Sequence, residues 1–364
     1  MIRAPLLLLA GLLLVGCTSL PRSEPAPMPP AVVRAPAPDA VVAEAWLSAP
    51  MPQAELDSLA VWPTEDGGAW VIATAKASNQ LVVFDADSGK RLRTVGGPGE
   101  GPGQFGRPNG IAVWGDTVFV AERDNHRVQA LSLPDFRTRG FIGADTLKLP
   151  YGLWLRETAP DVLELLVTDS FMADFRSGQL PPREQMDQRV RRFEVELQPD
   201  GSLQARAAGS FGDTGQAGML RMVESIAGDP AHDRLLIADE DRRVGSTLRD
   251  YTLEGRFRGD SLPVFQADAE GVALWDCELD DGWWIAADQL TPTLFRVYRR
   301  DTLAPVGTFT GKVVAQTDGV ALFAAGTARF PDGALFAQHD NQSIAAFDLR
   351  EIARALHLRG GCLP

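Results

Sequence analysis

The sequence predicts an all-β fold, a six-bladed β-propeller. Three observations predict it. A unit of two short apolar strands, joined by a turn and flanked by polar residues, recurs six times at a spacing of roughly 40 to 50 residues, the period of propeller blades. The 35 Gly and 26 Pro supply turns, while 8 Trp and 17 Phe, with frequent Val, Ile and Leu, supply strand-type core. Helical periodicity is nearly absent and is confined to Leu349 through Leu356.

The units follow in order. The first runs from Asp57 through the turn Asp66-Gly67-Gly68 to Lys76, and the second from Asn109 through Gly115-Asp116 to Arg123. The third runs from Tyr151 to Ser170, and the fourth from Glu224 to Glu240. The fifth spans Glu270 to Gln289, and the sixth Asp318 to Gln338. Further strands such as Gln80–Asp85 and Thr293–Tyr298 follow the hairpins. Residues 172 to 190 read as a polar loop inserted after the third unit. A β-sandwich would not produce six similar hairpins.

The N-terminus reads as an address. Arg3 is followed by an apolar run, Leu6 to Val15, too short to span a bilayer as a helix. It ends in Leu14-Val15-Gly16-Cys17, which resembles the bacterial lipobox, where cleavage precedes a cysteine that is then lipidated. Residues 1–16 are therefore expected to be a lipoprotein signal peptide with Cys17 the lipidation site. Thr18, rather than Asp, follows that cysteine and favours the outer membrane. Residues 17–50, rich in Pro and Ala with almost no aromatics, are expected to be a tether. The propeller is expected to occupy 51–364. Cys277 and Cys362 remain, and in an exported protein they can be oxidised. Their spacing leaves a disulfide and two free thiols both open.

The formal charge of −13 argues against nucleic acid, whose backbone needs a basic face. The acids are not scattered. In an antiparallel hairpin the start of the first strand and the end of the second share one edge. Asp57 with Lys76, Tyr151 with Asp169, Glu224 with Glu240, Glu270 with Gln289 and Asp318 with Gln338 are therefore expected at one rim of the central channel. Asp57, Glu224, Glu240, Asp268, Glu270 and Asp318 cannot all stay ionised there without counter-charge. Oxygen ligands from carboxylates and an amide suit Ca²⁺ best. No Cys/His cluster of zinc-like spacing exists.

The stretches Glu224-Ser225-Ile226-Ala227, Leu236-Ile237-Ala238-Asp239-Glu240-Asp241, Asp268-Ala269-Glu270-Gly271, Ile285-Ala286-Ala287-Asp288-Gln289, Thr317-Asp318-Gly319 and Leu335-Phe336-Ala337-Gln338 agree in order and spacing with motifs of the β-propeller (alkaline, calcium-dependent) phytases. The C-terminal half resembles that family closely. The N-terminal half does so more loosely, through Asp57-Ser58-Leu59-Ala60-Val61-Trp62, Lys76, Arg123 and Tyr151-Gly152. Residues 97 to 131 read instead like an NHL repeat, a propeller blade frequent in binding proteins.

The resemblance implies a phosphatase of inositol phosphates, acting on phytate as its calcium complex, with several Ca²⁺ ions at the channel mouth. Glu224, Glu240, Glu270, Gln289 and Asp318 would hold calcium and its waters, with Asp57 and Asp268 close by. Tyr151 would bind metal-linked water or phosphate, Lys76 and Arg123 substrate phosphates, and Glu224 would position the attacking water. Asp340 and Asn341 are candidates for a structural calcium site. The chain is expected to act as a monomer that meets the membrane only through its lipid.

Ser58 stands where the family has a second Asp, and Asp169 or Ser170 where it has a Lys. Arg176 and Arg183 in the inserted loop could compensate, or the loop could cap the channel. Two other readings use the same fold. One is a non-catalytic binding propeller. The other is a calcium-dependent lactonase of the gluconolactonase type, which holds one metal with a Glu, two Asn and an Asp; here Asn109 is the clearest rim Asn.

Overall fold

A computed structural model describes residue 1, residues 36–277 and 281–359, and residue 362. Residues 2–35, including the signal peptide and Cys17, lie outside the described residues, as does most of the tether.

The chain is a six-bladed β-propeller. Blade 1 is built from Leu56–Pro63, Ala69–Ala75, Gln80–Asp85 and Arg91–Val95, paired in sequence order. Blades 2, 3 and 4 repeat the pattern from first strands Pro108–Trp114, Pro150–Ala159 and Val223–Asp229. Blade 5 starts at Ala269–Asp276 and blade 6 at Val320–Phe323. The second and third strands are apolar on both faces because each is covered by the neighbouring blades. Val71, Ile72 and Ala73 in blade 1 and Leu235, Leu236 and Ile237 in blade 4 are fully buried. The core is accordingly six layers between successive blades, not one centre. The one α-helix among the described residues, Leu349–Ala355, begins at Asp348, whose side chain accepts from the Arg350 amide and caps it.

The propeller begins before residue 51. Trp46–Leu47 pairs with Ser343–Asp348 and supplies the outer strand of blade 6. Ala40–Val41 adds in parallel to Pro305–Thr310 at the edge of blade 5. Between them, the Glu44 carboxylate accepts from the backbone amides of Lys312, Val313 and Val314 at 3.1, 2.9 and 2.9 Å. The expected tether to residue 50 is thus corrected: from Ala40 onward the chain is part of the fold. Its composition reads as disordered, but Val42 and Trp46 are buried and drive the docking. Cys277 and Cys362 form a disulfide that fastens the C-terminal segment to blade 5.

Candidate metal centre

The hairpin register decides what reaches the rim. In five blades the first residue of the first strand pairs with the last of the second: Leu56 with Ala75, Pro108 with Glu122, Pro150 with Asp169, Val223 with Asp239 and Ala269 with Asp288. Each pairing is followed by a register shift that leaves two residues in a bulge. The first bulge residue is Asp57, Asn109, Tyr151, Glu224 or Glu270. The second is small: Ser58, Gly110, Gly152, Ser225 or Gly271. Blade 6 places Asp318-Gly319 at the corresponding point, just before Val320–Phe323.

These small residues let the inner strands meet at the axis. A Cβ on Gly152 would collide with the Glu224 carbonyl, and one on Gly319 with the Asp57 carbonyl. With the following apolar residues they enclose a channel of about 70 Å³. That holds a few waters at about 30 Å³ each, so any larger ligand stays at the mouth.

At the mouth, Glu224, Glu240 and Glu270 converge, with carboxylate oxygens within 4.8 Å of one another. Among the described residues this is the one such group of three acidic, His or Cys side chains. Glu270 is buried and the other two are half-buried. None has a Lys, Arg or His at ion-pair distance among the described residues, and Glu240 Oε1 is buried with no hydrogen-bond partner. Burial, and then the charges of neighbouring carboxylates (Asp57 for Glu224, Glu224 for Glu240, Glu240 for Glu270), push all three carboxyls well above the ordinary range. Burial and the Asp57 charge push Asp318 to about 7. Gln289 Nε2 donates to Asp318 Oδ1 and holds it at the edge of the group. A surplus of buried, all-oxygen donors with one orphaned oxygen fits a hard divalent cation such as Ca²⁺.

The other half of the rim carries two cations, each beside an acid: Lys76 with Asp57, and Arg123, whose Nε donates to Asp124 Oδ1 at 2.7 Å. Lys76 Nζ lies 2.9 Å from Asp57 Oδ1, and the Asp57, Asp318 and Glu224 charges outweigh its burial and raise its pKa. Arg123 sits beside the Tyr151 hydroxyl. Burial, with the Glu224 charge, pushes that phenol to about 12, so it is a neutral donor.

The structure thus brings Asp57, Lys76, Tyr151, Arg123, Glu224, Glu240, Glu270, Gln289 and Asp318 to one rim. Asp268 is also there, but Arg242 binds both of its oxygens, so it is committed to an ion pair. Asp169 is corrected. It is fully buried one residue inside the rim, accepting from the Leu149 amide at 2.6 Å and from Arg191 Nε at 3.2 Å. Ser170 takes the position that Lys76 and Arg123 hold in blades 1 and 2, its amide donating to the Leu149 carbonyl as theirs do to Glu55 and Arg107.

Asp340 and Asn341 form a turn in which Asn341 Oδ1 accepts from Gln338 Nε2 at 2.8 Å, and among the described residues they join no converging acid group. The inserted loop is pinned against blade 4, where Arg243 Nη1 donates to the Gly178 carbonyl at 3.0 Å and Arg183 Nε to the Thr214 carbonyl at 2.7 Å. Arg176 is exposed.

Asn109, legible in the sequence as a rim Asn, was given no part in holding calcium. It occupies the blade-2 rim position and its Oδ1 is buried and unpartnered, which the phase of the repeat alone could have indicated.

An NHL repeat model matches residues 105–131, within blade 2. No curated protein matches the chain. The match supports membership of a propeller family and speaks for the blade, not for an activity.

Proposed function

We propose that this protein is a calcium-dependent phosphatase that releases phosphate from phytate or a related inositol phosphate. The observation that carries the reading is the unpaired Glu224, Glu240 and Glu270 group facing Lys76, Arg123 and Tyr151 across one channel mouth. Glu224, Glu240 and Glu270 would hold Ca²⁺, with Gln289, Asp318 and Asp57 at its margin and Asp268 steadying Arg242 beside it. When bound, calcium supplies positive charge that draws phosphate oxygens and acidifies water. Lys76 and Arg123 orient the phosphates of the substrate. Tyr151, neutral, donates from its hydroxyl to a phosphate oxygen. A Glu224 carboxylate oxygen orients the attacking water and accepts its proton as the new P–O bond forms, while the ester P–O bond breaks and the departing inositol oxygen takes a proton from solvent. The narrow channel keeps the inositol ring at the mouth. No covalent nucleophile is needed.

The resemblance of the C-terminal half to the alkaline phytases supports the choice of substrate. We further place the domain outside the cytoplasm as a monomer, lipid-anchored at Cys17 on the outer membrane. The Cys277–Cys362 disulfide supports an oxidising compartment.

The test is phosphate release from phytate by the full-length protein with excess Ca²⁺, with EDTA, and with Glu224→Ala. Release that requires calcium and is lost in the variant supports the reading. The NHL match favours a second one, a binding propeller. Folded, calcium-loaded protein inert toward phytate and simpler phosphate esters would put that second reading first.

A further inference from the structure

On the face opposite the rim, blades 1 and 2 enclose a cleft of about 410 Å³, a size typical of small-molecule sites. Its aromatic wall is Trp62 and Trp70, whose ring centroids lie 4.9 Å apart at 58°. Trp62 is held in place, its Nε1 donating to Asp116 Oδ1 at 3.1 Å. Around the indoles stand four carboxylates, Glu65, Asp66, Asp85 and Asp116. Asp66 accepts from the Gly68 amide at 3.2 Å and Asp85 from the Ser88 amide at 2.8 Å, so both are fixed by their own turns. Among the described residues, no Lys, Arg or His forms an ion pair with any of the four. Arg93 stacks 4.9 Å over Trp70, yet its guanidinium donates to the Pro134 carbonyl and not to these acids.

The chemistry of the cleft narrows its ligand. Carboxylates without an ion-pair partner favour a cation, and the partly exposed Trp70 indole gives such a group an aromatic neighbour. A bare metal ion is a poor match, because these acids do not converge: among the described residues only the rim glutamates bring three carboxylates within 4.8 Å. The volume and the aromatic wall suit a cation that carries its own carbon frame. We propose that this cleft binds an organic cation, an alkylammonium or guanidinium group. The inference is independent of the chemistry at the rim.

The test is isothermal titration of the full-length protein, in excess calcium chloride, with spermidine, with N-acetylarginine amide and with cellobiose as a neutral ring. Glu65→Gln/Asp66→Asn, two exposed turn residues, is the cleft variant, and Glu224→Gln/Glu240→Gln the rim variant. One saturable site for a cationic probe is expected, weakened at least about tenfold in the cleft variant and by added salt, and unchanged in the rim variant. Binding of spermidine alone identifies a polyamine as the source. Binding of the arginine derivative identifies a basic peptide side chain. Phosphate release from phytate should be the same with and without the cleft substitutions. The proposal is overturned if no cation binds saturably, if binding follows the rim variant instead, or if cellobiose binds as tightly as the cations. Thermal melting of both variants separates lost binding from lost fold.

Discussion

Glu240 carries the sharpest consequence at the scale of single residues. Its Oε1 is buried and unpartnered beside two further carboxyls. Glu240→Gln should therefore lower calcium-dependent phosphate release by at least about 100-fold. In EDTA at neutral pH the same change should stabilise the protein, by on the order of 1 kcal/mol or roughly 2 °C in Tm, because it removes a carboxyl that folding must either protonate or leave charged beside two others. The pH dependence follows from the raised carboxyls. Folded metal-free protein keeps protons that the unfolded chain releases above the ordinary value of 4.5. Its stability in EDTA should fall as pH rises from about 4.5 through neutrality, Asp318 contributing up to about 7. With calcium the slope should reverse, since protons then compete with the ion. Melting curves from pH 5 to 8, with and without calcium, check both signs. The rim glutamates were legible in the sequence because acids recur at one phase of the repeat. Asp169 was misplaced because one residue separates a rim position from a buried one, and only the strand register fixes that offset. The commitment of Asp268 to Arg242 was equally hidden, since it links two different blades.

The misplaced Asp169 reveals a rule for the blade as an element. The last residue of the second strand is a fully buried acid in four blades: Glu122, Asp169, Asp239 and Asp288. Each pairs with an arginine on the third strand, Arg127, Arg191, Arg249 and Arg296 respectively. Each also accepts from backbone amides of the loop that leads into its blade, as Asp288 does from Gln266 at 3.0 Å and Ala267 at 2.8 Å. The acid ties the incoming loop to the sheet and so fixes the bulge that presents the rim residue. Removing it leaves a buried guanidinium and unmet amides, so Asp239→Ala should cost about 3–5 kcal/mol. Urea unfolding measures this, and a cost below about 1 kcal/mol would contradict the role assigned to the acid. A second acid links blades. Asp229 is pushed up by burial, but Arg300, at 2.7 and 2.8 Å, and His232, at 2.9 Å, more than offset this and hold it below its ordinary value of 3.8. Its stabilisation is present above that value and is lost as pH falls through the lowered one. Asp229→Asn should therefore be less stable at pH 6 and show a shallower loss of stability below about pH 4. Hairpins were legible because apolar runs alternate with turn residues. The acid–arginine pairs were not, because the partners come from strands whose alignment the sequence does not give.

The whole molecule closes through its N-terminal segment. Composition marked residues 17–50 as a tether, and a bias toward Pro and Ala cannot distinguish a free strand from one docked on an existing sheet edge. Buried Val42 and Trp46, and Glu44 on three amides, make the difference. A protein beginning at residue 49 loses both strands and should melt more than about 10 °C below one beginning at residue 36. Equal melting temperatures would show that the blades close without the strap. Six blades converge on one mouth that has unpaired acids on one side and the ion-paired cations Lys76 and Arg123 on the other, in a chain of net charge −13. A cation must reverse the sign on the acidic side before a polyanion can approach. The most direct test is a crystal structure of the protein grown with calcium. Density for calcium bound by Glu224, Glu240 and Glu270, absent from crystals grown in EDTA, is the result expected. Three glutamates sharing protons with one another at saturating calcium, with no ion among them, would contradict the central claim.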